Sequence, residues 1–362
     1  MNSTPILGVK ALITDHFPSL AVLGWNAHFA AQLEPAEAEA MAVARVVAVH
    51  RDALEVLGPA IEGRVPPPDP ATPATVGDWV ILDPVTRRPR RILERLSLFK
   101  RKSPGESRRV QLIAANVDTL FLVTSANDEF NPARLERYLA IAREAGVVPV
   151  VVLTKIDLAA DRQPFLRAAG ALVPGIIVEA VDARGAAGVA GLRPWLQPGQ
   201  TIALLGSSGV GKSTLVNTLS GAERQATAAI READARGRHT TSGRSLHRLA
   251  SGAWLLDTPG MRELQLVDAA EGIDEVFDEV AALARECRFG DCTHDTEPGC
   301  AIRAALDAGR LDEDRLERYR KLVREERRNS ETVAEARAKA RAFGRMAKGI
   351  MEDKARRRQP PS

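Results

Sequence analysis

Nine residues, Gly206-Ser207-Ser208-Gly209-Val210-Gly211-Lys212-Ser213-Thr214, limit what this chain of 362 residues can fold into. They match the pattern G-x-x-x-x-G-K-[ST]. The apolar run "TIALLG" leads in, and the helix-like "TLVNTLSG" leads out. That context predicts a loop joining a buried strand to a helix N-terminus. Glycines at such a loop let backbone N–H groups turn inward around phosphate oxygens. Lys212 offers a point charge to the β- and γ-phosphates, and the Ser213 hydroxyl is placed for Mg²⁺. A strand–loop–helix unit of this kind belongs in a mainly parallel α/β sheet.

Other strands supply the rest of that sheet. "VDTLFLVTS", "VVPVVVLTK" and "GIIVEAVDA" precede the loop, and "GAWLLDTPG" follows it. "NPARLERYLAIAREAG" reads as a helix. Asn131 caps its start, Pro132 takes the first turn where an N–H is not needed, and Gly146 closes it. Leu135, Leu139 and Ala142 fall on one face. Asp257-Thr258-Pro259-Gly260 has the form D-x-x-G at a strand end. There Asp257 would hold Mg²⁺ through water, and the Gly260 N–H would sense a γ-phosphate. Between the two motifs lies "RGRHTTSGR", in which Thr240 or Thr241 is the candidate mobile Mg²⁺ ligand.

Thr154-Lys155-Ile156-Asp157 ends the strand "VVVLT". A carboxylate at Asp157 can accept from guanine N1–H and its 2-amino group together. Adenine offers no such donor pair and would leave the carboxylate unpaired. The Lys155 stem can lie along the base face. Ligand-binding loops of α/β sheets sit at strand ends like this one. "VDA", Val181 to Ala183, follows the next strand, where a second loop would touch the guanine edge. In an ordinary GTPase the guanine loop comes after the phosphate loop. Here it comes before, so the order of elements predicts a circularly permuted domain. The permutation also tethers whatever follows residue 267 to the D-x-x-G loop. GTP hydrolysis is therefore expected to reposition the C-terminal part.

All three cysteines of the chain fall in "CRFGDCTHDTEPGC". The spacing Cys287-x4-Cys292-x-His294-x5-Cys300 supplies three thiolates and one imidazole, a closed tetrahedral Zn²⁺ set with a structural role. The odd cysteine number argues against a disulfide framework.

Upstream of the sheet, "AVARVVAVH", "ALEVLG", "VGDWVILDP" and "RRILERLSLF" are short β-like runs parted by turn signals and "VPPPDPATP". They predict a small β-barrel, with the five-stranded oligonucleotide-binding (OB) barrel as one candidate. Net charge is only +3, yet residues 87–109 carry ten Lys/Arg against two Glu, and residues 337–358 carry nine against two acids. Two concentrated basic segments fit contact with a polyanion better than an even spread would. No run of about 18 apolar residues is present, so no membrane span is expected. The N-terminus does not read as a signal peptide. These features predict a cytoplasmic protein with no membrane partner.

The chain resembles the circularly permuted, small-ribosomal-subunit-dependent GTPases of bacteria. The resemblance runs from about residue 35 to 325. It is carried by "ANVDTLFLVTSANDEFNPARLERYL", "LTKIDL", "GSSGVGKSTLVN", "GRHTTS", "DTPGMRE" and "CRFGDCTHDTEPGCAI". It implies a late-stage assembly factor that binds the small subunit and its 16S-type rRNA. GTP would be hydrolysed to GDP and phosphate, with turnover stimulated by the ribosome and coupled to release. Met261 follows D-x-x-G, where Ras-type enzymes place a water-orienting Gln. Methionine cannot orient water, so His239 beside the Thr pair is the candidate catalytic residue, with Lys212. The expected fold is multi-domain. Residues 1–34 form a leader, 35–104 an OB-like RNA-binding barrel and 105–267 the permuted GTPase domain. Residues 268–328 form a helical zinc-binding domain and 329–362 a basic tail, helical or disordered. The protein is expected to be a monomer. The other reading the sequence leaves open is a signalling-type GTPase activated by a protein partner.

Overall fold

The computed structural model describes residues 19–102, 110–221, 244–257, 264 and 266–330. The described chain enters through a 3-10 turn, Leu20–Leu23, then helices α1 (Ala27–Ala30) and α2 (Pro35–Ala40). This leader is not loose. Leu23 and Phe29 are buried, and Trp25 meets Trp79 edge-on with ring centroids 4.8 Å apart.

Five antiparallel strands follow: β1 (Ala42–Val49), β2 (Leu54–Leu57), β3 (Glu62–Val65), β4 (Trp79–Leu82) and β5 (Pro89–Ile92). β1 is their hub. One edge of it pairs with β2, and the other pairs with β4 through Ala42 to Arg45. A register shift between Val46 and Ala48 bends β1, as bulges do in small barrels. Ala44, Val46, Val56, Val65, Val80 and Leu82 fill the interior. Sequence periodicity misses β3, because "EGRV" offers only one apolar residue. "RRILERLSLF" proves to be two strands, β5 and β6 (Leu98–Lys102). β6 pairs with β7 (Val110–Ala115) in a separate hairpin. The domain boundary expected at 104/105 lies between these two strands, outside the described residues.

The remaining strands are β8 (Thr119–Ser125), β9 (Val148–Thr154), β10 (Ile177–Ala180), β11 (Thr201–Leu205), β12 (Arg244–Arg248) and β13 (Trp254–Asp257). Their spatial order is β10-β9-β8-β11-β13-β12, and the sheet continues into β1-β2-β3. Every pairing from β10 to β13 is parallel, and β12 runs antiparallel to β13. β8 is buried along its whole length, which explains its unbroken apolar run. β12 escapes sequence reading because "RSLHR" has no apolar period. Pairing on both edges, to β13 and to β1, defines it.

Helices pack on the sheet. α3 (Pro132–Glu144) starts as expected: Asn131 accepts from Arg134 N at 2.9 Å, and Leu135, Leu139 and Ala142 face the core. α4 (Gln163–Gly170) and α5 (Lys212–Ser220) follow β9 and β11. The C-terminal module comprises α6 (Ala270–Val276), α7 (Asp278–Arg285), α8 (Ala301–Asp307) and α9 (Glu313–Ser330). It docks on α3. There the buried Glu136 carboxylate accepts from Arg315 at 2.8 Å and Arg318 at 2.9 Å. Arg137 also bonds Glu325 and the Leu264 carbonyl. Among the described residues no helix is long and apolar enough to cross a membrane.

A buried cation joins these parts. Arg45, 1% exposed on β1, donates to Leu23 O at 2.5 Å, Asn116 O at 3.0 Å and Thr201 Oγ1 at 2.8 Å. It thus ties the leader, the barrel, the turn into β8 and the start of β11. Burial pushes the guanidinium down to about 10, and the nearby carboxylates of Asp118 and Asp78 partly offset this. Truncating such a side chain strands buried acceptors and opens a cavity. Arg45→Ala is expected to lower stability by about 3–5 kcal/mol, read from the urea midpoint.

Candidate active site

The C-terminal ends of β8, β9, β11 and β13 point the same way, since these strands pair in parallel. Thr154, Gly206 and Asp257 stand at or just past three of those ends. The phosphate loop begins at Gly206 because nothing larger fits. A Cβ there would lie 2.3 Å from Val123 O on β8. Gly211 ends the loop at φ 93°, a left-handed turn that feeds straight into α5. Val210 is fully buried and anchors the loop to the apolar layer beneath the sheet. Lys212 Nζ lies folded onto the loop's own carbonyls, donating to Gly206 O at 2.6 Å and also to Ser207 O. Ser208, Gly209, Ser213 and Thr214 complete the loop and the first turn of α5. Arg134, in the first turn of α3, reaches the Ser207 hydroxyl at 2.7 Å.

The guanine-type tetrapeptide and the phosphate loop are in direct contact. The Thr154 hydroxyl is 2.6 Å from Val210 O and 3.0 Å from Thr124 O. It is fully buried, so its hydrogen bonds are not shared with water. Lys155 adopts φ 57°, the left-handed region, which turns the chain sharply as it leaves β9. Asp157 follows on that turn. Its carboxylate pairs with Arg184 at 2.9 Å. Arg184 also grips Asp182, in the "VDA" loop after β10. The Ala183 carbonyl of that loop accepts from Thr218 on α5. Two segments far apart in sequence therefore meet at one end of the sheet, with the permuted order intact.

Asp257 sits beside β12. His247 Nε2 is 3.6 Å from its carboxylate and 3.0 Å from Ser245 Oγ. Neither His247 nor Arg184 stands out in sequence, because no motif spacing connects either one to its partner. His239, Thr240, Thr241, Gly260 and Met261 lie outside the described residues.

The cysteine window folds into one cluster. The ligand atoms of Cys287, Cys292, His294 and Cys300 all lie within 4.8 Å of one another. Cys287 Sγ is 3.9 Å from Cys300 Sγ, and His294 Nδ1 is 3.5 and 3.6 Å from those two sulfurs. Local backbone aims the donors inward. His294 takes φ 64°, and Cys300 Sγ caps α8 by accepting from Arg303 N at 3.5 Å. Arg320 of α9 braces the turn through His294 O at 2.9 Å. This Cys₃His arrangement has the donors and spacing to hold a metal ion.

Comparison with known proteins fits this geometry. The model of the family described as RsgA GTPase matches residues 92–267. A protein of Vibrio parahaemolyticus serotype O3:K6, "Small ribosomal subunit biogenesis GTPase RsgA 2", is 47% identical over 359 residues. The match spans 99% of each chain. The chain belongs to the RsgA GTPase family. It is thus a GTP hydrolase with a circularly permuted GTPase domain. Two solved structures share this fold. YjeQ from Thermotoga maritima superposes with TM-score 0.58 at 24% identity, covering 78% of this chain and 97% of that one. YloQ, described as a circularly permuted GTPase, gives 0.56 at 23% identity, covering 81% and 97%.

Proposed function

We propose that this GTPase acts in biogenesis of the small ribosomal subunit, binding the subunit and its 16S-type rRNA and coupling GTP turnover to its own release. The reading is supported chiefly by one observation. Thr154 bridges the guanine-type loop to the phosphate loop in a chain that aligns end to end with a named biogenesis GTPase. Asp157 would read the guanine N1–H and 2-amino group, with Lys155 along the base. Gly206, Ser207, Ser208, Gly209, Val210, Gly211 and Thr214 would wrap the phosphates with backbone N–H groups. Lys212 would leave its loop carbonyls for the β- and γ-phosphates. Mg²⁺ would be held by Ser213, Asp257 and Thr240 or Thr241, and it would neutralise charge building on the phosphate oxygens. Gly260 would sense the γ-phosphate. His239 would orient the attacking water, since Met261 cannot. The barrel of residues 35–104 and the basic tail would contact RNA, and the protein would work as a cytoplasmic monomer. Residues 105–267 would form the GTPase domain and 268–328 the zinc domain. The C-terminal module would respond to nucleotide through Arg137, which joins α3 to Leu264 just past the D-x-x-G loop.

Zinc fits the Cys₃His cluster. Zn–S bonds of about 2.3 Å and Zn–N bonds of about 2.0–2.1 Å give tetrahedron edges of about 3.8 Å between sulfurs and about 3.6 Å between sulfur and nitrogen. The three separations among Cys287, His294 and Cys300 match these edges, and Cys292 Sγ lies within 4.8 Å of each. All four positions would be taken by protein, so the role is structural. Metal analysis should give one zinc per chain. A strong chelator should remove it and expose amides 285–305 to fast hydrogen exchange. Unchanged protection after complete metal removal would refute the structural role.

Intrinsic turnover should be slow, on the order of 10⁻⁴ to 10⁻³ s⁻¹, with room for about 10³- to 10⁵-fold activation by a partner. GTP hydrolysis is measured alone, with small subunits and with large subunits, and ATP is run alongside. Strong stimulation by small subunits only, with ATP inert, is expected. His239→Ala should keep GTP binding and lose most of that stimulation. No response to either subunit would favour a signalling-type GTPase with a protein activator.

A further inference from the structure

Arg184 lies between two carboxylates. Its Nε and one Nη donate to the two oxygens of Asp182 at 2.9 and 2.8 Å. That same Nη is 2.9 Å from Asp157 Oδ2. Arg184 N–H also donates to Asp182 at 3.1 Å, which fixes the short loop after β10. Nothing in the motif reading assigns Arg184 a role.

We propose that Arg184 is a positioning residue for guanine recognition: it bridges Asp182 to Asp157 and holds the Asp157 carboxylate aimed at the base. This rests on the reading of Asp157 as the guanine acceptor. Guanine needs both oxygens of one ionised carboxylate, for N1–H and for the 2-amino group. Asp182 brings a second negative charge to the same corner. Two carboxylates sharing a site repel, so one swings away unless a cation stands between them. Arg184 is that cation. Its side-chain hydrogen bond is the main reason the Asp182 carboxyl is held down at about 2.

The geometry also separates a positioning role from simple competition. A guanidinium carries the same N–C–N donor edge as guanine, and an arginine seated two-pronged on Asp157 would block the base. Arg184 gives its two-pronged grip to Asp182 instead. It touches Asp157 through one nitrogen and one oxygen. That contact is a close charge pairing, while the aligned hydrogen bonds of the guanidinium go to Asp182, so the Asp157 lone pairs stay open to the base. The Arg184 side chain is 64% exposed and that of Asp157 24%. The bridge is therefore screened by solvent, and its effect is expected to be moderate.

The test is calorimetric titration with GDP, inosine diphosphate (which lacks the 2-amino group) and ADP, on wild type and variants whose melting temperatures match it. Arg184→Ala should weaken GDP binding about fivefold and weaken inosine diphosphate less, so that the preference for GDP shrinks. Arg184→Lys should recover part of the loss. Adding Asp182→Ala to Arg184→Ala should restore GDP affinity, because the repelling charge is gone. GDP binding by Arg184→Ala at or above wild-type strength would overturn the proposal. So would failure of the double variant to recover. Asp157→Ala is the separating control. If it keeps full GDP affinity, the guanine reading itself falls; if it loses GDP while Arg184→Ala does not, only the role of Arg184 falls.

Discussion

The parallel pairing of β8 with both β9 and β11 is the constraint on which the site depends. It sets the C-terminal ends of β9 and β11 one strand apart. The loop after β9 and the loop after β11 are then close enough for one hydroxyl, that of Thr154, to reach the backbone of Val210. Chain order does not enter into this contact. A sheet only requires that strands lie in register and run the same way, so the covalent order of loops can be rotated while their meeting point stays put. The permutation changes what hangs from the sheet. The loop carrying Asp157 now precedes the phosphate loop, and the C-terminal module follows directly from the loop after Asp257.

The second constraint is the joining of parts. The sheet does not stop at the GTPase strands; β12 pairs with β1 and carries it into the barrel. Arg45 lies buried close to that junction with three acceptors from three different segments. On the far side of the sheet order, Glu136 holds two arginines of α9 in the same manner. Buried charges of this kind contribute little net stability, but they penalise any arrangement that leaves them unpaired. They fix how the barrel and the C-terminal module sit on the GTPase core.

Much of this is legible in the sequence, for a physical reason in each case. β8, β9 and β11 are buried on both faces, so their apolar runs are unbroken. The phosphate loop needs glycines that no other residue can replace, as Gly206 against Val123 O makes plain. The Cys₃His set is confined to one short window. What stays hidden is whatever depends on contact between distant segments. β12 is polar and becomes a strand only by pairing on both edges. Arg45 sits in a run that reads as apolar, "AVARVVAVH", and a charge there suggests a solvent-facing position. It is buried because the leader, β7–β8 turn and β11 bring acceptors to it. Arg184 and Asp157 are joined only because β9 and β10 are neighbours in the sheet.

On the proposed function, Asp157, though it precedes the phosphate loop in sequence, reads the base of a nucleotide held by that loop. Replacing Asp157 with Asn tests it directly. A carboxamide still accepts from N1–H, but it now presents an N–H₂ where the carboxylate presented an acceptor. Xanthine carries a carbonyl at the position of guanine's 2-amino group. Binding of guanosine and xanthosine diphosphates is measured on the Asp157→Asn variant. Guanosine affinity is expected to fall about a hundredfold, with xanthosine becoming the preferred base. A variant that keeps its preference for guanosine would contradict this reading.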